Sequence, residues 1–323
     1  MRRPVVLLTR RWPAAVEAAL AARYELRVDA ADRPLDADGL RAALRSADAV
    51  CPTVTDRLDA EVLDIDGLRA RVLGNFGVGF NHIDLDAARR RGLVVTNTPD
   101  ALTDCTADLA LTLILMVARR AGEGERLLRA GDWHGWTPTQ LLGARVSGKT
   151  LGLVGFGRIA RAVAQRAHHG FGMRVLFHTP RPPAAAQSAA VGATACSSLE
   201  ELLACADFVS LHCPGGAATR HLIDASRLAL MRPSAFLINT ARGEVVDEAA
   251  LVTALEAGRL AGAGLDVYAQ EPAVPAALRR LENVVLLPHL GSATAETRVA
   301  MGMRVVENLD AFFADRPPRD RVA

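Results

Sequence analysis

Short apolar, β-branched runs alternate along the chain with longer stretches of helical periodicity. PVVLLT (4–9), ADAVCPTV (47–54), RVLGN (71–75) and LVVTN (93–97) have strand character, and a helical pattern covers Ala14 to Ala22. Strands that alternate with helices predict a parallel sheet covered by helices. Pro99 breaks the pattern, and a long apolar helix is expected over about 102–120, with Thr103 or Asp104 near its start. A second alternating series follows: TLGLV (150–154), RVLFH (174–178), ADFVSLH (206–212), SAFLINT (234–240), GAGLDVY (262–268) and NVVLLP (283–288). Six strand candidates after residue 150 match a doubly wound dinucleotide fold. Residues 293–314 read as a final helix before a polar, extended tail, and PRPPAAAQSAA (180–190) reads as a loop leading into a small helix.

The 323 residues point to two domains, or one with an insertion. With 50 % hydrophobic and 23 % charged residues the composition is that of a soluble globular protein, and a net charge of +2 predicts neither nucleic acid nor a membrane surface as partner. Five cysteines at irregular spacing form no disulfide framework and no metal-site pattern. They are expected as reduced thiols in a cytoplasmic protein. The apolar core of MRRPVVLLTRRW is too short for a signal peptide, and LALTLILMVA (109–118) is too short to span a bilayer.

TLGLVGFGRIARAVAQRA places Gly155, Gly157 and Ala160 between an apolar strand and a helix. Gly155 permits a tight turn, Gly157 lets the backbone approach a pyrophosphate, and the helix N-terminus offers unpaired N–H groups to the phosphates. About 20 residues further on, such chains place an acid for the adenine ribose. Here VLFHTPR (175–181) has none; it offers Thr179 and Arg181. Without the acid a 2′-phosphate is not repelled, and Arg181 can pair with it. This predicts NADPH in preference to NADH.

Three strand ends carry candidate chemistry. Arg242 follows INTA, Glu271 follows GLDVYAQ and His289 follows NVVLLP. In open α/β sheets the carboxyl ends of the strands face the ligand crevice. An arginine there can hold a carboxylate through two parallel bonds. An imidazolium can give a proton to a carbonyl oxygen, and a nearby carboxylate stabilises it. His168, His169 and His212 have weaker cases, the first two as late-helix residues.

These stretches, with NFGVGFNHID (75–84), TDCTADLALTLIL (103–115) and LHCPGGAATRHLID (211–224), resemble the D-isomer-specific 2-hydroxyacid dehydrogenases nearly end to end. Within that family the chain is similar to the glyoxylate/hydroxypyruvate reductases, through GFNHID, GDWHGWTPTQLLG (131–143) and the acid-free HTPR. The resemblance implies that Arg242, Glu271 and His289 are the catalytic residues and that the backbone of Val78 and Gly79 binds the substrate carboxylate. It implies cofactor contacts at Thr106, Phe156, Arg158, Ile159, Cys213, Pro214, Thr240, Asp266, His289 and Gly291, besides the two glycines, Thr179 and Arg181. It also implies two doubly wound parallel-sheet domains. A Rossmann cofactor domain (99–290) is inserted in a discontinuous flavodoxin-like substrate domain (1–98 and 291–323). Family members are usually homodimers, which would let Trp136 border a partner's active site or sit in an interface or core. Related NADPH-using members often carry an arginine where this chain has Pro180, so Arg181 reaches from a different backbone position.

The leading expectation is therefore an NADPH-preferring reductase of small 2-oxo acids. The alternatives are a dehydrogenase of another D-2-hydroxy acid using NADH, 3-phosphoglycerate included, and a non-catalytic nucleotide-sensing binding protein.

Overall fold

The apolar runs assemble into two separate parallel sheets. A computed structural model describes residues 2–181 and 183–323. Residue 1, and residue 182 in the proline-rich 180–190 segment, lie outside the described residues. The strands are β1 (Val5–Leu8), β2 (Glu25–Val28), β3 (Ala49–Cys51), β4 (Val72–Gly74), β5 (Val94–Thr96), β6 (Thr150–Val154), β7 (Arg174–His178), β8 (Ala193–Ala195), β9 (Phe208–Leu211), β10 (Phe236–Asn239), β11 (Gly262–Leu265) and β12 (Val284–Leu286). The chain divides into two compact units, Met1–Leu102 with Ser292–Ala323, and Thr103–Gly291.

The first unit holds a five-stranded sheet in the order β2-β1-β3-β4-β5, the flavodoxin-like order. Helix Ala37–Ser46 buries Leu40 and Leu44 on one face. Helices Ala14–Arg23 and Ala295–Phe313 bury Val16, Leu20, Val305 and Leu309 on the other. The extended tail lies antiparallel to β5, with the Val322 N–H donating to the Val95 carbonyl.

The second unit holds a seven-stranded sheet in the order β12-β11-β10-β9-β6-β7-β8, with the strand order reversing between β6 and β9. Every strand pair in both sheets is parallel. Helices Thr103–Ala118 and Arg158–Phe171 share one face, and Leu199–Cys205 and Glu248–Glu256 share the other. The Thr103–Ala118 helix buries Leu113, Ile114 and Val117, each contributing roughly 1.5–3 kcal/mol by its burial.

Three elements went unpredicted. β2 (ELRV) is a half-exposed edge strand with two charged residues, and β8 (ATA) is an edge strand of three small residues. Neither has an apolar run: β2 buries no residue and β8 buries only Ala193, whereas the other two edge strands, β5 and β12, keep buried valines. With β8, the described residues from 150 onward hold seven strands, not six. Helix Ala121–Ala130 buries none of its residues and so leaves no apolar stripe tied to the core.

Candidate active site

Arg242, Glu271 and His289 lie beyond the carboxyl ends of β10, β11 and β12, three adjacent strands of the second unit. Each turn is held by a buried polar group. Asn239, 1 % exposed, closes the first: its amide donates to the Arg242 carbonyl at 2.9 Å and its oxygen accepts from the Ala241 N–H at 3.0 Å. Tyr268 holds the second from below by donating its hydroxyl to the Leu287 carbonyl at 2.9 Å. Asp266 builds the third. Its carbonyl accepts from the His289 N–H at 2.9 Å, and its carboxylate accepts from Leu290 N–H at 2.6 Å and Gly291 N–H at 2.8 Å. Burial pushes the Asp266 carboxyl up, against the pull of these donors and of His289. His289 is thereby kept at φ +56°, a left-handed conformation uncommon outside glycine.

The first two turns meet at Gly243. A Cβ there would lie 1.8 Å from the Tyr268 carbonyl carbon and 2.2 Å from the Ala269 nitrogen. Only a glycine lets the turn after Arg242 rest on the peptide leading to Glu271.

The side chains form a charged set. His289 Nδ1 lies 2.7 Å from Glu271 Oε2, with both side chains a little under one-third exposed. Glu271 Oε1 accepts from the Tyr268 N–H at 3.0 Å. Burial opposes the Glu271 charge, but the His289 hydrogen bond, the imidazolium, the Tyr268 N–H and Arg242 outweigh it, and its carboxyl is held below the usual range. Burial lowers Arg242, against Glu271 and Glu244. With Nδ1–H facing Glu271, the imidazole presents Nε2 outward.

The glycine turn has the features of a dinucleotide cradle. Gly155 takes φ +90°, and a Cβ on it would come within 2.9 Å of the His212–Cys213 peptide. Gly157 caps helix Arg158–Phe171 with no side-chain hydrogen bond, so the helix N-terminus is open to a phosphate. The Phe156 side chain is buried and stacks on Phe177 at 3.9 Å, so only its backbone faces a ligand. Arg158 and Ile159 open the helix, with Arg158 exposed and Ile159 packed on the core. Thr240, at the end of β10, has a buried hydroxyl with no partner among the described residues. Thr106 donates to the Gly291 carbonyl at 2.9 Å. Cys213 is half-buried, with its thiol pushed up to about 11 by burial, and Pro214 beside it is exposed. Thr179 is half-buried and Arg181 exposed; no hydrogen bond or ion pair among the described residues engages the Arg181 guanidinium. These groups fit a nicotinamide dinucleotide: backbone donors for the pyrophosphate and an unpartnered hydroxyl where β10 ends.

In the first unit the Val78–Gly79 loop is held by its carbonyls. Asn75 donates to the Gly77 and Gly79 oxygens at 3.0 Å each, and Asn97 donates to the Val78 oxygen at 2.9 Å. No hydrogen bond among the described residues uses the Val78 or Gly79 N–H. Two backbone donors held in this way suit an anion.

His212 is structural: Nε2 bonds the Ser210 hydroxyl at 2.9 Å and burial pushes the imidazole down to about 4. His168 and His169 sit in the last turn of their helix. Asn239, Gly243 and Tyr268 are the positioning residues that the sequence reading did not single out. Asn239 as the last residue of an apolar strand was the one available signal, since asparagine favours turns.

The NAD-binding-domain model of the D-isomer specific 2-hydroxyacid dehydrogenases matches residues 111–291. The glyoxylate reductase of Thermococcus kodakarensis is 45 % identical over 96 % of this chain and 93 % of its own. A D-isomer specific 2-hydroxyacid dehydrogenase structure from Polaromonas superposes with TM-score 0.91 at 37 % identity, covering 99 % of this chain and 100 % of that one. An NADPH-dependent glyoxylate/hydroxypyruvate reductase from Sinorhizobium meliloti, in complex with NADP and malonate, gives 0.87 at 37 % identity, covering 99 % and 97 %. The chain belongs to the D-isomer specific 2-hydroxyacid dehydrogenase family. It is an NAD(P)-dependent oxidoreductase. No helix among the described residues is long and apolar enough to cross a membrane.

Proposed function

We propose that the chain reduces small 2-oxo acids, glyoxylate and hydroxypyruvate among them, to 2-hydroxy acids, with NADPH preferred. The observation that carries the reading is the His289–Glu271 pair at 2.7 Å beside Arg242. The bound nicotinamide supplies the hydride. Arg242 holds the substrate carboxylate and polarises the carbonyl, and the Val78 and Gly79 amides are a second carboxylate partner. His289 delivers a proton from Nε2 to the carbonyl oxygen, while Glu271 fixes the ring through Nδ1 and stabilises its charged form. An imidazole oriented by a carboxylate beside an arginine is equipped for proton transfer, which favours an enzyme over a protein that only senses nucleotide.

The nucleotide choice rests on Thr179 and Arg181. Arg181 is exposed and carries no ion pair among the described residues, so it is available to a 2′-phosphate. Initial rates with glyoxylate and hydroxypyruvate, each with NADPH and NADH, test both halves of the reading. Arg181→Ala is expected to raise KM for NADPH about tenfold, the worth of one charge-assisted contact, and to leave NADH nearly unchanged. Equal losses with both nucleotides would make Arg181 a bystander, and NADH preference in the unaltered chain would overturn the nucleotide assignment.

A second copy of the chain is the proposed partner. Leu128, Trp133, Trp136 and Leu142 are exposed on the 121–143 segment, Trp136 by 78 %. Trp136 is thus no core residue of its own chain, and such a patch marks a contact surface. Sedimentation of the full chain is expected to show a dimer at micromolar concentration; a monomer there would refute it.

A further inference from the structure

A buried carboxylate in the first unit has no part in the chemistry above. Asp56 follows β3, is 1 % exposed, and concentrates three donors on one oxygen. Oδ2 accepts from the Thr9 hydroxyl at 2.5 Å, the Thr53 N–H at 2.7 Å and the Thr53 hydroxyl at 3.3 Å. Oδ1 is buried and has no partner among the described residues. An unpaired buried carboxylate oxygen is unfavourable, and apolar packing gives no reason to keep one. What Asp56 does is hold a loop: Thr9 directly follows β1, Thr53 opens the turn after β3, and the carboxylate ties them together at the ligand-binding end of the sheet.

The far side of that loop rests on the 76–79 segment. The Phe76 N–H donates to the Pro52 carbonyl at 2.9 Å, and Val54 Cγ1 would lie 3.7 Å from a Cβ on Gly77. Val54 is half-exposed and stands beside the residue preceding Val78 and Gly79. A 2-oxo acid whose carboxylate sits on the Val78 and Gly79 amides has the substituent of its carbonyl carbon within a few ångströms of that carboxylate. The neighbouring apolar side chain then limits the substituent's size.

We propose that Asp56 is a positioning residue for substrate selectivity: it clamps the 53–55 loop between Thr9 and the 76–79 segment, so that Val54 sets the size of the group accepted on the carbonyl carbon, hydrogen in glyoxylate and hydroxymethyl in hydroxypyruvate. The inference rests on the 2-oxo acid reading of the preceding section. An apolar wall of fixed position discriminates by size, and loosening it relaxes the preference while weakening ground-state binding.

The test is steady-state reduction of glyoxylate and hydroxypyruvate by the unaltered chain, Asp56→Ala, Asp56→Asn and Thr9→Val, at saturating NADPH, with a melting curve for each. Asp56→Ala is expected to raise the 2-oxo acid KM about tenfold, equivalent to ~1.4 kcal/mol, with kcat within about twofold. The KM ratio of the two substrates shifts by at least about threefold, and KM for NADPH does not move. Asp56→Asn, whose amide oxygen can accept the same donors, recovers most of the loss. Thr9→Val, which removes one donor from the clamp, shifts KM in the same direction by less, and it decides the matter if Asp56→Ala does not fold. Unchanged KM values, with or without a kcat that falls in step with melting, overturn the inference while the reductase reading stands. No turnover of either 2-oxo acid by the unaltered chain overturns both.

Discussion

His289→Ala is expected to lower kcat for 2-oxo acid reduction by about 10³-fold, within the range that a positioned general acid supplies. The expectation rests on the ring being held at both ends. Glu271 takes Nδ1, and Asp266 takes the backbone N–H groups of three successive residues beginning at His289. The left-handed backbone of His289 is a local strain that the Asp266 clamp sustains, and such strain gathers where a side chain must be aimed. The nucleotide cradle is built from other groups, chiefly the Gly155–Gly157 turn, so NADPH binding by fluorescence titration is expected to stay within about threefold of the unaltered chain. A variant that turned over glyoxylate at the normal rate would remove His289 from the reaction. One that lost nucleotide binding in proportion to activity would make it a cofactor ligand instead.

Gly243→Ala is the second large effect. No side chain can yield to the new methyl group, because the atoms it would meet belong to the Tyr268–Ala269 backbone. That peptide carries the Ala269 N–H, which donates to Glu248 at 2.8 Å, and it adjoins the Tyr268 N–H, which orders Glu271. Forcing it aside is expected to cost about 3 kcal/mol. For a unit of this size that is a fall of roughly 6–12 °C in Tm. It separates Arg242 from Glu271, so kcat/KM falls even at temperatures where the variant is folded. Normal melting with normal turnover would show that the two turns do not depend on each other.

Much of this architecture was legible in the sequence, and the missing parts share a cause. Interior strands such as β6 and β9 are buried on both faces and paired on both sides, so their apolar runs stand out. β2 and β8 are edge strands with little burial, and Glu25, Arg27 and the small residues of ATA carry no such signal, unlike the valines of the edge strands β5 and β12. Arg242, Glu271 and His289 were visible because each is a charged or titratable residue just beyond an apolar run. Gly243 and Asp56 were not, since their importance lies in contacts with segments remote in sequence: Gly243 with Tyr268, and Asp56 with Thr9. At Phe156 the motif position did not tell side chain from backbone: the ring belongs to the core, which leaves the backbone for a ligand contact.

The antiparallel tail has a further consequence, for self-association. An outer strand offers a row of unpaired backbone groups to any passing chain, and natural sheets blunt that template. Here the rim of β5 is occupied by the chain itself. The Val95 N–H donates to the Ala323 carbonyl at 3.1 Å, and the Asn97 N–H donates to the Asp320 carbonyl at 3.2 Å. Asp320 is fastened in turn to Asn308 and Arg304 of the last helix. The last residues thus work as a guard against strand-to-strand aggregation, using the same hydrogen bonds that an intruding chain would otherwise take.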